Sequence, residues 1–195
     1  TNHVMLAGKG AEMFAESRGI DSMPPQYFFS QFRYDQWQRV KGSNKSHLDH
    51  SVEVGEKKFG TVGAVALDKF GNVAAASSTG GMTNKQWGRI GDTPIIGAGN
   101  YANNKTCAVS CTGDGEFFIR GVVAYDVSCL IEYKGLSLSE ACEEVIQNRL
   151  KTIGGEGGVV AMDVNGNIAL EFNSTGMYRG YIKDDVNPVV SIYEN

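Results

Sequence analysis

The fold of this chain is decided by one stretch, Thr61-Val-Gly-Ala-Val-Ala-Leu-Asp68, Lys69-Phe-Gly-Asn72 and Val73-Ala-Ala-Ala-Ser-Ser78. Two runs of small apolar residues flank a turn that contains glycine and asparagine, which is the pattern of an antiparallel hairpin. Because small apolar side chains stand on both faces of these strands, we expect the hairpin to be covered on both sides.

The sequence on either side of this hairpin supplies helices and more strands. Upstream, two helices are predicted at residues 11–17 and 26–40, followed by a polar, exposed segment. Downstream, the pattern predicts a hairpin at 95–101 and 106–111, helices at 116–133 and 137–150, and strands at 158–163 and 167–172. Strands, then helices, then strands indicate an α+β fold in which helices cover antiparallel sheet.

Composition narrows the class of protein. The chain has 195 residues, enough for one domain with a real core, and a formal net charge of −4 without a basic block. Nucleic acid would need a positive stripe, and a membrane span would need a longer apolar run, so we expect neither partner. No signal peptide is recognisable in residues 1–10. The four cysteines stand among apolar residues and form no C-x-x-C pair, which predicts buried thiols and a cytoplasmic location.

The first candidate for chemistry is Gly60-Thr61, where the polar segment meets the strand. A threonine hydroxyl is a poor nucleophile without a base. Cutting the chain before Thr61 would supply one, because a free α-amine has a pKa of about 8, against about 10.4 for lysine. Taken alone, the dipeptide also fits the ordinary start of a strand.

Other polar groups stand where strands end. Thr79 closes the return strand of the hairpin and would lie beside Thr61. The turn Cys111-Thr112-Gly113-Asp114-Gly115 leads from a strand into a helix, where free backbone N–H groups can bind an oxyanion. Arg89 and Asp92 stand close together, either as a surface ion pair or as a ligand site.

Five motifs in order make the resemblance specific. They are Gly60 to Asp68, Ser78-Thr-Gly-Gly-Met-Thr-Asn-Lys85, Gly88-Arg-Ile-Gly-Asp-Thr-Pro-Ile-Ile-Gly-Ala-Gly99, Tyr101-Ala-Asn-Asn104 and Ser110-Cys-Thr-Gly-Asp-Gly-Glu116. Residues 61–195 resemble the β-subunit of plant-type isoaspartyl peptidase/L-asparaginases, which are N-terminal nucleophile hydrolases. Residues 1–60 resemble the last part of the α-subunit, with an exposed linker at 41–60, and together the two make one structural domain.

The resemblance implies a four-layer αββα sandwich of antiparallel sheets, incomplete here because the N-terminal part of the α-subunit is absent from this chain. That absent part is the one that binds a structural sodium ion in the family, and no other cofactor is implied. His3, His47 and His50 are too scattered for a metal site, so we expect no metal ligands in this chain.

The resemblance also implies a role for each matching residue. The chain is cut between Gly60 and Thr61, and Thr61 then becomes the catalytic nucleophile. Thr79 orients the Thr61 hydroxyl, and Thr112 with the Gly113 backbone forms the oxyanion hole.

Substrate binding is implied for a second set of residues. Arg89 would hold the α-carboxylate of an aspartyl substrate, while Asp92 and the Gly115 carbonyl would hold its α-amine. Gly113 also belongs to the substrate-binding set. Arginine suits a carboxylate because it can donate two parallel hydrogen bonds. Gly60 and Gly80-Gly81 favour this branch over glycosylasparaginases, which resemble the chain but have Asp before the Thr and Asn in the Gly-Gly motif.

We therefore expect an autoprocessed amidohydrolase that cleaves β-aspartyl dipeptides and L-asparagine, as a homodimer of cleaved αβ units. Two alternatives stay open: a threonine endopeptidase of the same superfamily, and a truncated, non-catalytic remnant.

Overall fold

The structure is a computed structural model that describes residues 1–43, 60–183 and 187–193. The chain divides into two compact units, Thr1–Gly42 and Ser43–Asn195. Most of the predicted linker at 41–60, and His47 and His50 with it, lies outside the described residues. The assignment of residues 1–60 and 61–195 to two subunits stays a prediction.

The unit Thr1–Gly42 is helical. Helix α1 spans Gly8–Ser17, a short 3₁₀ turn spans Pro25–Phe28, and helix α2 spans Gln31–Val40. The single helix predicted at 26–40 is therefore wrong in its first turn. The interruption has a local cause. Phe29 and Ser30 are extended, with ψ of 132° and 121°, and extended residues cannot continue a helix.

The second unit begins with the predicted hairpin. Strand β1, Thr61–Leu67, pairs antiparallel with β2, Val73–Thr79. The Asp68 carboxylate closes the connecting loop, because it accepts hydrogen bonds from the backbone N–H groups of Phe70 and Asn72, each at 2.8 Å. Gly71 has a φ of 83°, a conformation that glycine adopts without strain.

A four-stranded antiparallel sheet forms the centre of this unit, in the order β3-β4-β5-β6. Its strands are β3 Asn100–Ala102, β4 Cys107–Gly113, β5 Gly157–Asp163 and β6 Ile168–Phe172. The strand predicted at 95–101 is wrong except at its end. Residues 95–99 form turns instead, in which Gly97 has a φ of 90°.

Helices cover one face of this sheet. They are α3 Gly115–Gly121, α4 Val123–Lys134 and α5 Leu138–Glu143, and α5 continues as a π-helical segment, Glu144–Leu150. The helix predicted at 116–133 is broken at Val122, which is left-handed with a φ of 48°. The capping box predicted for α5 is confirmed, since Ser137 and Glu140 bond to each other's backbone N–H groups.

The main core lies between the four-stranded sheet and the helices. Alternate residues of β4 face the helices, and all three are almost fully buried: Cys107, Val109 and Cys111. They pack against Phe118, Val127 and Ile146 among others. The cysteines are free thiols. Cys107, Cys111 and Cys142 are buried, as predicted, whereas Cys129 is only partly buried.

The opposite face of the sheet packs against the β1–β2 hairpin. Helices, the four-stranded sheet and the hairpin thus form three successive layers, as in three of the four layers of the predicted αββα sandwich, and the predicted α+β class is confirmed. The prediction that the hairpin is covered on both faces is wrong for the described residues. Val65 and Leu67 are partly buried, whereas Val62 is 74% exposed.

Two short strands, β7 Arg179–Tyr181 and β8 Val189–Ser191, form a separate antiparallel pair. In the described ranges, every helix is too short or too polar to cross a bilayer.

Candidate active site

The open end of the β1–β2 hairpin brings three predicted residues together. Antiparallel register places Thr61 directly opposite Thr79. The Thr61 hydroxyl donates to Thr79 Oγ1 at 3.3 Å, and the Thr79 hydroxyl donates to the Gly60 carbonyl oxygen at 3.2 Å. The backbone N–H of Gly81 also donates to Thr79 Oγ1, at 3.0 Å. The Thr79 hydroxyl thus links the Thr61 hydroxyl to the carbonyl of the Gly60–Thr61 bond.

Three contacts fix how the hairpin lies across β4. Near the middle of β1, Gly63 packs so closely on Ser110 that a Cβ at this glycine would collide with the serine side chain. The hydroxyls of Ser77 and Ser110 are 2.7 Å apart. At the closed end of the hairpin, the Val73 N–H donates to Asn104 Oδ1 at 2.9 Å, just before β4 begins. The closed end therefore lies at the start of β4, and the open end lies toward its last residues.

Those last residues are Thr112 and Gly113. They pair with Gly158 and Gly157 of β5, so the sheet carries no Cβ opposite either of them. Gly113 has a φ of 147°, and a Cβ there would lie 2.4 Å from the Glu156 carbonyl oxygen. Any side chain at this position would therefore force the two strands apart. The turn that follows leads directly into α3.

Arg89, Asp92 and Gly115 form the second group of predicted residues. The position that a Cβ would occupy on Gly115 is 2.8 Å from both Arg89 Nη2 and Asp92 Oδ1. A cation and a carboxyl thus both lie close to a residue without a side chain. Gly115 ends the short turn that contains Thr112 and Gly113, so the two charged side chains lie next to this turn.

Asp92 is buried, with 6% of its surface exposed. Its Oδ2 atom, and Oγ1 of the neighbouring Thr93, have no hydrogen-bond partner among the residues that the structure describes. Burial raises the pKa of the Asp92 carboxyl because it disfavours the charged form, and the nearby Arg89 offsets this in part. A buried carboxyl with a free oxygen can bind a ligand's ammonium group.

Sequence reasoning missed the partner of Arg89. The Glu116 carboxylate accepts two hydrogen bonds, from Arg89 Nε at 2.6 Å and from Nη2 at 2.7 Å. This pair lowers the pKa of Glu116 and raises that of Arg89. The only available signal was the place of Glu116 at the end of the motif that begins at Ser110. The hydrogen bond from the Gly81 N–H was also missed, because a backbone donor cannot be recognised from the type of residue.

Comparison with known proteins agrees with the motifs. The asparaginase family model matches residues 1–192. The chain is 54% identical over 195 residues to an isoaspartyl peptidase of Salmonella typhimurium, a match covering 98% of this chain and 62% of the relative. It is also 54% identical to an isoaspartyl peptidase of Escherichia coli, over 98% of this chain and 60% of the relative.

A more distant relative is an isoaspartyl peptidase/L-asparaginase of Xenopus laevis, which is 36% identical over 185 residues and is covered to 58%. The chain thus spans about 60% of the length of these curated relatives. The family model alone extends over nearly the whole chain. The chain therefore belongs to the asparaginase family of N-terminal nucleophile hydrolases, which confirms the resemblance carried by its motifs.

Proposed function

We propose that this protein is an autoprocessed amidohydrolase that cleaves β-aspartyl dipeptides, and L-asparagine less efficiently, with Thr61 as its nucleophile. One observation carries the proposal. The Thr61 hydroxyl, the Thr79 hydroxyl and the Gly60 carbonyl form one hydrogen-bonded chain at the bond to be cut. A nucleophile and a donor to the carbonyl under attack are two of the groups that amide cleavage needs.

Self-cleavage follows from this chain. The Thr61 Oγ1 atom attacks the carbonyl carbon of Gly60, and the Thr79 hydroxyl stabilises the negative charge that develops on the carbonyl oxygen. The C–N bond breaks, its nitrogen takes up the proton that the Thr61 hydroxyl gives up, and an ester joins Gly60 to the Thr61 side chain. Water hydrolyses the ester, which frees the Gly60 carboxylate, the Thr61 hydroxyl and the Thr61 α-amine.

The new amine is the base for substrate hydrolysis. It accepts the proton of the Thr61 hydroxyl as the oxygen attacks the side-chain carbonyl of the substrate. Thr112 and the Gly113 backbone hold the oxyanion, and the leaving amine takes the proton. Water then hydrolyses the aspartyl ester on Thr61 and releases aspartate.

Two charges select the substrate. A β-aspartyl amide has its scissile carbonyl on the side chain, so its α-carboxylate and α-ammonium are both free. Arg89 would hold the carboxylate, and Asp92 with the Gly115 carbonyl would hold the ammonium. The free, buried oxygen of Asp92 supports this assignment, because an unpaired buried carboxyl is unfavourable until a cation binds.

The relatives support the same choice of substrate. Those from Salmonella typhimurium and Escherichia coli are named isoaspartyl peptidases, and the one from Xenopus laevis an isoaspartyl peptidase/L-asparaginase. As part of this proposal, the protein works in the cytoplasm as a homodimer of cleaved αβ units, with residues 1–60 ending the α-subunit. Its partners are small amide substrates rather than nucleic acid or membrane.

The test compares a β-aspartyl dipeptide with an α-aspartyl dipeptide and a folded protein. The wild type is expected to hydrolyse only the first, and Thr61→Ala to stay uncut and inactive. Thr152→Ala is the matched control, since Thr152 is an exposed helical threonine that bonds to the Asn148 carbonyl. Cleavage of the protein alone would favour the endopeptidase. A single uncut wild-type chain without turnover would favour the remnant.

A further inference from the structure

The side chain of Trp87 is 98% exposed, more than any other large apolar side chain among the described residues. Tryptophan is highly buried on average, because its indole carries a large apolar surface that is unfavourable in water. Both faces of this indole are open to solvent. The exposed ring is therefore available to an apolar group of a ligand.

The backbone at Trp87 is strained. The Arg89 N–H donates to the Gln86 carbonyl at 3.0 Å and closes a four-residue turn. Its two central residues, Trp87 and Gly88, have φ of 58° and 71°. Positive φ at both central positions is the mark of a type I′ turn, which favours Asn, Asp or Gly at the first of them. A bulky residue in this conformation costs the fold stability.

Hydrogen bonds hold the chain in place just before this turn. The Lys85 ammonium donates to the Gly80 carbonyl at 2.8 Å. The side-chain amides of Asn84 and Gln86 both donate to the Ser43 carbonyl, at 3.1 and 3.3 Å. A strained conformation persists only where the surroundings fix it, and such residues cluster at ligand sites. The supported backbone thus presents the Trp87 side chain to solvent.

The loop that carries Trp87 borders the candidate site. It begins at Gly81, whose N–H bonds to Thr79 beside Thr61, and it leads to Arg89, two residues after Trp87. The groups assigned above hold the α-carboxylate, the α-ammonium and the scissile carbonyl of a substrate. The leaving residue of a dipeptide is the part that still lacks a contact, and this loop offers it an exposed aromatic ring.

We propose that Trp87 is a specificity-determining residue that contacts the leaving residue of the substrate, and that the protein prefers β-aspartyl dipeptides whose second residue is aromatic. This inference rests on the proposed function for the reaction and for the aspartyl half of the substrate. The indole packs against the aromatic side chain of the leaving residue, so both lose apolar surface to water. A leaving glycine has no side chain and gains nothing from this contact.

The test compares β-aspartyl-phenylalanine with β-aspartyl-glycine in the wild type and in Trp87→Asn. Asparagine suits the first central position of a type I′ turn, so the variant keeps the turn. The ratio of kcat/KM for the phenylalanine dipeptide to that for the glycine dipeptide should fall about tenfold, as for the loss of a strong aromatic pair. The urea midpoint of unfolding should rise, because the strain is relieved. A purely structural role would leave the ratio unchanged.

Phe70→Asn is the matched control. Phe70 is another exposed aromatic residue in a loop, 78% exposed, but it lies at the closed end of the β1–β2 hairpin. Its substitution should leave the ratio of the two dipeptides unchanged.

Fluorescence gives a readout that does not depend on turnover. Trp37→Phe leaves Trp87 as the single tryptophan of the chain. Addition of β-aspartyl-phenylalanine should shift its emission to shorter wavelength, because the indole leaves water, whereas β-aspartyl-glycine should not.

The outcomes separate the two proposals. A wild type that hydrolyses both dipeptides, with the same ratio in Trp87→Asn, would overturn the role of Trp87 alone. An unchanged ratio together with a smaller assembly in solution would assign Trp87 to a contact between copies, and would overturn it too. A wild type that hydrolyses neither dipeptide would overturn the proposed function. The emission then decides on Trp87: a shift with the phenylalanine dipeptide alone supports its role, and no shift overturns it.

Discussion

At the scale of single residues, two of the three groups that bond to the Thr79 hydroxyl have different parts in the chemistry. This hydroxyl accepts a hydrogen bond from the nucleophile that we propose, and it donates one to the Gly60 carbonyl. The sequence predicted the first contact, because antiparallel register places Thr79 opposite Thr61. The bond to the Gly60 carbonyl was not predicted, because Gly60 precedes β1 and strand register assigns it no partner.

The donation to Gly60 predicts a defect in self-cleavage. In Thr79→Val the shape is kept and the donor is lost, so cleavage of the Gly60–Thr61 bond should slow about a hundredfold, as for other oxyanion donors. Thr79→Ser should cleave at close to the normal rate. Intact mass over time measures both, and Ser78→Ala, an exposed neighbour on the same strand, is the control. Normal cleavage in Thr79→Val would show that this hydroxyl is not the donor.

The burial of Asp92 predicts that neutralising this residue raises stability near neutral pH and weakens ligand binding. Burial raises its pKa in the folded protein above the unfolded value, so its contribution to stability is present at low pH and is lost as the pH rises through the folded pKa. Asp92→Asn carries no charge at any pH. Its stability relative to the wild type should therefore increase from pH 4 to pH 7, while its affinity for L-aspartate falls.

Urea unfolding at the two pH values measures the stability difference, and calorimetry measures the affinity. Asp126→Asn is a suitable control, because Asp126 is already paired with Arg149 and should show no such gain on neutralisation. A stability difference between Asp92→Asn and wild type that does not change with pH would contradict the account.

At the scale of elements, two hairpins share one loop design. Asp68-Lys-Phe-Gly-Asn72 closes β1–β2, and Asp163-Val-Asn-Gly-Asn167 closes β5–β6. In both loops the first aspartate accepts backbone hydrogen bonds from the third and fifth residues, at 2.8 Å in the first loop and 2.9 Å in the second. In both, the fourth residue is a glycine with positive φ. The loops differ in burial, since Asp163 is 7% exposed and Asp68 is exposed.

This difference in burial predicts unequal effects of the same substitution. Asp163→Ala should lower the free energy of unfolding by about 2 kcal/mol, because it removes the buried carboxylate that accepts the N–H groups of Asn165 and Asn167. Asp68→Ala should have a smaller effect, since water can replace the lost acceptor. Urea unfolding of both variants measures the two effects, and equal losses would show that burial does not set the difference.

The sequence predicted the elements whose signals are local. Both hairpins were found because runs of apolar residues flank turn residues such as Gly and Asn, and α5 was found through its capping box. The break at Val122 was not found, because a β-branched residue disfavours a left-handed conformation. Contacts distant in sequence impose it: the Tyr125 N–H at the start of α4 donates to the Gly97 carbonyl at 2.9 Å.

The same limit applies to the site. The residues around Thr61 were predicted from register, whereas the pair of Arg89 with Glu116 joins residues 27 positions apart and has no local signal. The roles of all these residues stay predictions until variants are measured.

At the scale of the whole molecule, the candidate site is assembled from two sheets and the start of a helix. Residues 60–81 supply the nucleophile, residues 89–92 the charged groups, and residues 112–116 the turn before α3. The hairpin and the four-stranded sheet must therefore pack correctly before the groups meet. Self-cleavage should be lost in parallel with tertiary structure when urea is added, because no single segment contains the site.

The most direct test of the account is N-terminal sequencing of the smaller fragment while hydrolysis of a β-aspartyl dipeptide is followed in the same sample. The account predicts a fragment that begins Thr-Val-Gly-Ala, at Thr61, and activity that rises in proportion to the cleaved fraction. Full activity with the Gly60–Thr61 bond intact, or a fragment that begins at another residue, would contradict it.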